Sequence, residues 1–70
     1  MYKNTNGKIF GNNVKRLRLE RKLTLAQLSR LSKISKSYLT KIENGETKIL
    51  KLSHLDKLCR AFDVKTASLL

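Results

Sequence analysis

The chain has 70 residues, enough for one small domain, and its single cysteine excludes an intramolecular disulfide. Sixteen lysines and arginines against five acidic residues give a formal net charge of +11, which attracts polyanions strongly. Nucleic acid is therefore the leading candidate partner, and an anionic membrane surface is second. No apolar run reaches membrane-spanning length and the N-terminus lacks a signal-peptide core, so we expect a cytoplasmic protein that does not enter a membrane.

The first eight residues are polar and predict a flexible basic arm, which leaves residues 9–70 as the domain. Lys3 and Lys8 in this arm could reach a phosphate. A frayed terminus without a function explains the same pattern, so both interpretations stay open. Beyond the arm, a composition with no proline and few glycines favours helices over a sheet.

Apolar residues recur at helical spacing in several segments, which predicts an all-α fold. The first helix covers residues 9–22, the fourth covers residues 52–62, and residues 66–70 indicate a last helical turn. The predicted architecture is therefore a compact bundle of five short helices. The residues expected to face its core are Phe10, Val14, Leu17, Leu25, Leu28, Leu31, Leu39, Ile42, Leu52, Leu55, Leu58, Cys59 and Phe62.

Residues 24–45 predict the second and third helices, joined by a tight turn. Thr24 and Ser35 carry the hydroxyl groups typical of helix N-caps. The third helix is expected to end at Asn44 and Gly45, where a left-handed backbone is tolerated. Ile34 is the apolar residue expected beneath the turn between the two helices.

Four stretches of the sequence together match a known family. They are FGNNVKRLR in the first helix, LTLAQLS at the start of the second, ISKSYLTKIENG through the third and LDKLCRAFDV in the fourth. The chain from Phe10 to Leu70 thereby resembles the helix-turn-helix domain of lambdoid phage repressors, Cro proteins and restriction-modification controller proteins, an XRE-like family. The resemblance implies a lambda-repressor-like DNA-binding domain. Two departures stand out: Leu25 replaces a glutamine that contacts a phosphate, and Lys33 replaces the glycine of the turn.

An ion pair between Arg18 and Glu43 follows from the resemblance, since the family pairs these two positions. The residues themselves agree. Arg18 adjoins the apolar stripe of the first helix, and Glu43 directly follows Ile42, which is expected to be buried, so a charge there needs a partner. A solvated glutamate at a helix end is the alternative.

The exposed side of the third helix carries the candidate base-reading residues, which are Lys36, Ser37, Thr40 and Lys41. Lysine can donate to guanine O6 and N7, and serine can donate or accept at several base edges. The start of this helix points into the major groove when a helix-turn-helix docks on DNA. The resemblance also implies base contacts at Lys36, Ser37 and Lys41. A solvated, functionless face is the alternative.

Contacts to DNA phosphates are expected around the two ends of the motif. The candidate residues are Arg18, Thr24, Tyr38, Asn44, Lys48 and Lys51. Tyr38 lies between the buried and exposed sides of its helix, so a purely structural role is open for it as well.

A single domain of this size makes few base contacts, so we expect a homodimer on pseudo-palindromic double-stranded DNA. Val64, Leu69 and Leu70 form the candidate dimer interface, because these apolar residues have no obvious place in so small a core. In a monomer they would instead cap that core.

No combination of residues indicates an enzyme, a metal site, a cofactor or a small-molecule ligand. The one histidine, His54, is expected at the surface, and Cys59 occupies an apolar helical position that fits a core thiol. The leading function is therefore a sequence-specific transcriptional regulator, either a repressor or a controller protein. The alternatives are an antitoxin-type protein-interaction module with secondary DNA binding, and a general binder of nucleic acid or membrane surfaces.

Overall fold

Four α-helices and one short 3₁₀ turn make up the residues described in the computed structural model, which are 4–47 and 51–70, with side chains from residue 7 onward. The helices are α1 (Asn4–Glu20), α2 (Leu25–Ser32), α3 (Lys36–Glu43) and α4 (Leu52–Phe62), and the 3₁₀ turn is Thr66–Ser68. The all-α prediction is confirmed, but the predicted fifth helix is only this turn. None of the helices in the described part of the chain is long and apolar enough to cross a membrane.

Helix α1 begins at Asn4, so it includes five of the eight residues that the sequence assigns to a flexible arm. The physical reason is packing against the segment that follows α3. Gly7 is buried against the backbone of Thr47, and the backbone of Lys8 lies beside Gly45. Lys3 lies outside the described residues. Residues 4–8 are therefore helical, where the sequence predicted an arm.

Helices α1 and α3 approach each other closely at Gly11. A Cβ atom at this position would collide with the backbone carbonyl oxygen of Ile42. Glycine is unfavourable within a helix by about 1 kcal/mol relative to alanine. Its presence in the middle of α1 is explained by this contact, because no other residue leaves room for the end of α3.

The helix caps follow from the side chains that the sequence provides. The Thr24 hydroxyl accepts from the Gln27 N–H (3.1 Å), and the Gln27 side chain accepts from the Thr24 N–H (2.8 Å), which completes a capping box. The Ser35 hydroxyl accepts from the Tyr38 N–H (3.2 Å). Both predicted N-caps are confirmed.

The turn between α2 and α3 is held by hydrogen bonds from α2 itself. The Ser29 hydroxyl donates to the Ile34 carbonyl (2.6 Å), and the Ile34 N–H donates to the Ser32 hydroxyl (3.3 Å). Lys33 adopts a left-handed backbone with φ of 61°, a conformation that glycine adopts more readily than lysine. Ile34 is buried beneath the turn, as predicted.

Each of the four helices contributes at least one apolar side chain to the core, and the 3₁₀ turn itself contributes none. Its members are Phe10, Val14, Leu17, Leu28, Ile34, Leu39, Ile42, Leu55, Leu58, Cys59, Phe62 and Leu69. Two residues predicted to face inward are exposed instead, Leu31 at 55% and Leu52 at 71%. Leu31 points outward because α2 presents Leu28 and Ser32 to the core, and Leu52 precedes the first buried turn of α4.

The C-terminal residues fold back onto the first helix. Leu69 is fully buried, and its carbonyl accepts a hydrogen bond from the Asn13 side chain (2.9 Å). Val64 is half-buried against the core, whereas Leu70 is 37% exposed. The assignment of Leu69 to a dimer interface is therefore wrong, because the 3₁₀ turn directs this side chain into the domain.

Candidate nucleic-acid interface

One side of α3 is buried in the core and the other side is exposed to solvent. Leu39 and Ile42 are buried. The four predicted base-reading residues, Lys36, Ser37, Thr40 and Lys41, are all exposed. The structure therefore brings the four residues together on one surface, and the residues on the opposite side hold that surface in place.

The polar groups of this surface differ in how available they are. The Thr40 hydroxyl donates to the Lys36 carbonyl within the helix (3.0 Å), so its oxygen is left mainly as an acceptor. The ion pairs found among the described residues involve only arginines as cations. Within that part of the chain, no carboxylate neutralises Lys36 or Lys41, and both ammonium groups can meet an outside anion.

A buried ion pair connects α1 to the end of α3. The Arg18 Nε–H donates to Glu43 Oε2 (2.7 Å), and the second guanidinium nitrogen donates to Oε1 (3.0 Å). The remaining terminal nitrogen donates to the Leu23 carbonyl (2.9 Å). Only 12% of the Arg18 side chain and 6% of the Glu43 side chain are exposed. This bidentate geometry is the strongest form of such a pair.

The hydrogen bonds of the pair attach the end of α3 to α1. Its hydrogen bonds to Glu43 raise the pKa of Arg18 above its ordinary value, against the opposing effect of partial burial. Because a cation with a raised pKa stays charged throughout the physiological range, titration of Arg18 does not change the stabilisation within that range. Three N–H groups of Arg18 have partners inside the domain and only 12% of its side chain is exposed, so we assign Arg18 to the ion pair, and its phosphate contact stays a prediction.

Three of the other predicted phosphate-contacting residues are exposed, and they are Thr24, Asn44 and Lys51. Thr24 is exposed at the start of α2, and Lys51 is exposed just before α4. The Asn44 side chain donates to Glu46 (3.2 Å) and is exposed at the end of α3. Lys48 lies outside the described residues. The residues around the motif thus leave exposed polar groups at its start and after its end.

Tyr38 and His54 form an aromatic contact between α3 and α4. Their ring centroids are 4.6 Å apart and the ring planes are inclined by 47°. His54 is half-buried rather than fully at the surface. Burial lowers the pKa of His54 below its ordinary value, and the charges of Lys51 and Lys57 lower it further. Sequence reasoning missed this contact, since no spacing within either helix indicates it.

We expect the folded domain to lose stability as the pH falls from 7 to 5, with a contribution from His54. Because its folded pKa is depressed, the neutral form stabilises the fold above the unfolded value of about 6.5. That contribution is lost as the imidazole is protonated at lower pH. An NMR titration of the single histidine should give a midpoint below about 6.5, and the substitution His54→Phe should flatten this part of the stability profile. A midpoint above that value would contradict the expectation.

No group of three or more His, Cys, Asp or Glu side chains that could hold a metal ion occurs within the described residues. Cys59 is buried and unpaired in the core, as predicted. The chemistry that the surface of α3 offers is therefore hydrogen bonding and positive charge. An extended polyanion with polar edges fits that chemistry.

The family model described as Helix-turn-helix matches residues 14–69. No curated protein sequence matches the chain. The match spans all of α2, α3 and α4 together with the C-terminal part of α1, residues 14–20.

Several solved structures are similar to this chain over most of its length. The restriction-modification controller protein C.AhdI from Aeromonas hydrophila is 27% identical, with a TM-score of 0.86 over 94% of this chain and 98% of that one. An HTH_3 family transcriptional regulator from Vibrio cholerae is 26% identical, with a TM-score of 0.88 over 94% of this chain and 36% of that one. SinR, the master regulator for biofilm formation, solved in complex with DNA, is 30% identical, with a TM-score of 0.79 over 86% and 98%. The chain therefore belongs to the XRE-like helix-turn-helix family.

Proposed function

We propose that this protein is a sequence-specific transcriptional regulator, a repressor or controller protein, that binds double-stranded DNA with α3 in the major groove. The observation that carries the proposal is the exposed, uncompensated cationic side of α3 on a helix held rigidly by the core and by Arg18 and Glu43. Its similarity to C.AhdI and to SinR, which was solved in complex with DNA, supports it. The net charge of +11 supports it as well.

In this proposal the residues of α3 read base edges. Lys36 and Lys41 donate to guanine O6 and N7, and Ser37 donates or accepts at a neighbouring base. Thr40 accepts a hydrogen bond or packs its methyl group against a thymine methyl, since its proton is already directed to Lys36. These contacts give sequence choice, whereas phosphate contacts give register and affinity.

Phosphate contacts come from the ends of the motif. Thr24, Tyr38, Asn44 and Lys51 each place a donor near α2, α3 or the start of α4, and Lys48 belongs to the same set by its position in the sequence. Cations that meet phosphates release bound counterions, so log Kd should change with log salt by roughly 0.9 per phosphate neutralised.

A two-fold dimer on a pseudo-palindromic operator would double the number of base contacts. With Leu69 assigned to the core, Val64 and Leu70 remain as apolar candidates for the interface. Sedimentation equilibrium at micromolar concentration tests this part separately, and a strict monomer in the presence of operator DNA would contradict it.

The test of the proposal is a selection of binding sites from random duplex DNA, followed by affinity measurements on the selected site. The variant Lys36→Gln/Lys41→Gln should lose sequence preference by about 1–3 kcal/mol for each lysine. The matched control is Lys57→Gln/Lys65→Gln, which removes the same charge from exposed lysines outside the proposed contacts. This control should weaken binding slightly and equally on all sequences.

Two results would contradict the proposed function. One is equal affinity of the wild-type chain for the selected and random duplexes. The other is an unchanged sequence preference in the Lys36→Gln/Lys41→Gln variant. An affinity that does not depend on salt would contradict the phosphate contacts.

A further inference from the structure

Tyr38 in α3 and His54 in α4 form an aromatic pair. Their ring centroids are 4.6 Å apart, a distance at which aromatic side chains attract each other. Both side chains are half-buried, and Tyr38 also packs against the hydrophobic core. The tyrosine ring therefore contacts the core on one side and the ring of His54, which belongs to α4, on another.

Each ring belongs to a residue in the first turn of its helix, and the backbone of that residue is hydrogen-bonded. The Tyr38 N–H donates to the Ser35 cap (3.2 Å), and the His54 N–H donates to the Lys51 carbonyl (3.1 Å). Side chains mounted on rigid elements hold a binding geometry better than side chains on loops. The aromatic contact therefore joins the first turn of α3 to the first turn of α4.

We propose that His54 is a positioning residue for DNA recognition, whose ring keeps the Tyr38 hydroxyl at the edge of α3 where it contacts a phosphate. The inference rests on the proposed function, in which Tyr38 is one of the phosphate-contacting residues. A hydroxyl donates well only at a narrow range of distances and angles, so a ring that can swing away loses the contact. His54 acts through Tyr38 and makes no contact with DNA itself.

The experiment is a double-mutant cycle on the DNA site selected from random sequence. Dissociation constants are measured for the wild-type chain, His54→Ala, Tyr38→Phe and the combination of both. Tyr38→Phe keeps the ring and removes the hydroxyl. We expect each single variant to bind about tenfold more weakly, which is the loss of one charge-assisted hydrogen bond. The combined variant should bind no more weakly than Tyr38→Phe alone, because His54 has no effect without the hydroxyl.

A conservative variant separates positioning from direct contact. His54→Phe retains a planar ring beside Tyr38 but has no hydrogen-bonding nitrogen, and it should bind DNA within about twofold of wild type. Thermal unfolding of each variant confirms that the domain is folded at the assay temperature. A His54→Phe variant as weak as His54→Ala would overturn the proposal in favour of a direct imidazole contact.

The remaining outcomes also decide the question. Effects of His54→Ala and Tyr38→Phe that simply add would overturn the positioning role. A wild-type chain that prefers its selected site, together with a Tyr38→Phe variant of unchanged affinity, would overturn this inference and leave the proposed function standing. A wild-type chain with no preference among duplexes would overturn the proposed function.

Discussion

Replacing Glu43 with glutamine should lower the free energy of unfolding by about 3–5 kcal/mol, the usual cost of leaving one member of a buried ion pair without its partner. The Arg18 side chain is 12% exposed and donates to both Glu43 oxygens. The amide of a glutamine can accept only one of these hydrogen bonds and carries no charge. Domains of this size are stable by about 0.05–0.15 kcal/mol per residue, so the loss is a large part of the total.

Urea denaturation followed by circular dichroism measures this effect. The matched control is Glu46→Gln, which removes the same charge from an exposed side chain three residues later and should change stability by less than about 0.5 kcal/mol. The paired substitution Arg18→Met/Glu43→Leu should recover most of the loss, because apolar side chains need no partner when buried. Equal effects of Glu43→Gln and Glu46→Gln would show that the pair does not stabilise the fold.

The substitution Gly11→Ala should lower the free energy of unfolding by about 2–3 kcal/mol, although alanine is the better helix former by about 1 kcal/mol. The added methyl group would collide with the backbone of Ile42, which cannot move without shifting the end of α3. A loss of this size lowers the midpoint of thermal unfolding by roughly 10 °C or more in so small a domain.

Asn12→Ala provides the comparison for this substitution. Asn12 is the next residue in α1 and is exposed, so alanine there should leave stability unchanged or raise it by about 0.5 kcal/mol. Thermal unfolding of the two variants under the same conditions is sufficient. If Gly11→Ala were as stable as Asn12→Ala, α1 and α3 would have to tolerate a wider separation than the structure shows.

Features that depend on neighbours in the chain were predictable from the sequence. Thr24 and Ser35 each precede an apolar helical repeat, and their hydroxyls cap the helices that follow. The exposed side of α3 follows from the burial of Leu39 and Ile42, since the helical repeat then determines the opposite side. The pairing of Arg18 with Glu43 needed the family resemblance in addition, because the two residues are far apart in sequence.

Features that depend on distant parts of the chain were not predictable. The start of α1 lies against the backbone of Thr47, and Gly11 in α1 lies against Ile42 in α3 at a separation that no sequence repeat indicates. An apolar residue such as Leu69 is equally compatible, from the sequence, with burial in its own core and with burial in a contact with a second chain. The ring of His54 in α4 contacts Tyr38 in α3, and no repeat within either helix indicates this contact. Each of these requires tertiary packing, which sequence periodicity does not contain.

The angle between α2 and α3 is determined by a few residues in and near the turn that joins them. The hydroxyls of Ser29 and Ser32 bond the backbone of Ile34, and Lys33 supplies the left-handed step between them. None of these residues is among those that we assign to base contacts. The exposed residues of α3 can therefore be substituted without changing the turn between α2 and α3. A related or engineered chain could acquire a new operator by exchanging a few of these surface side chains while the fold stays the same.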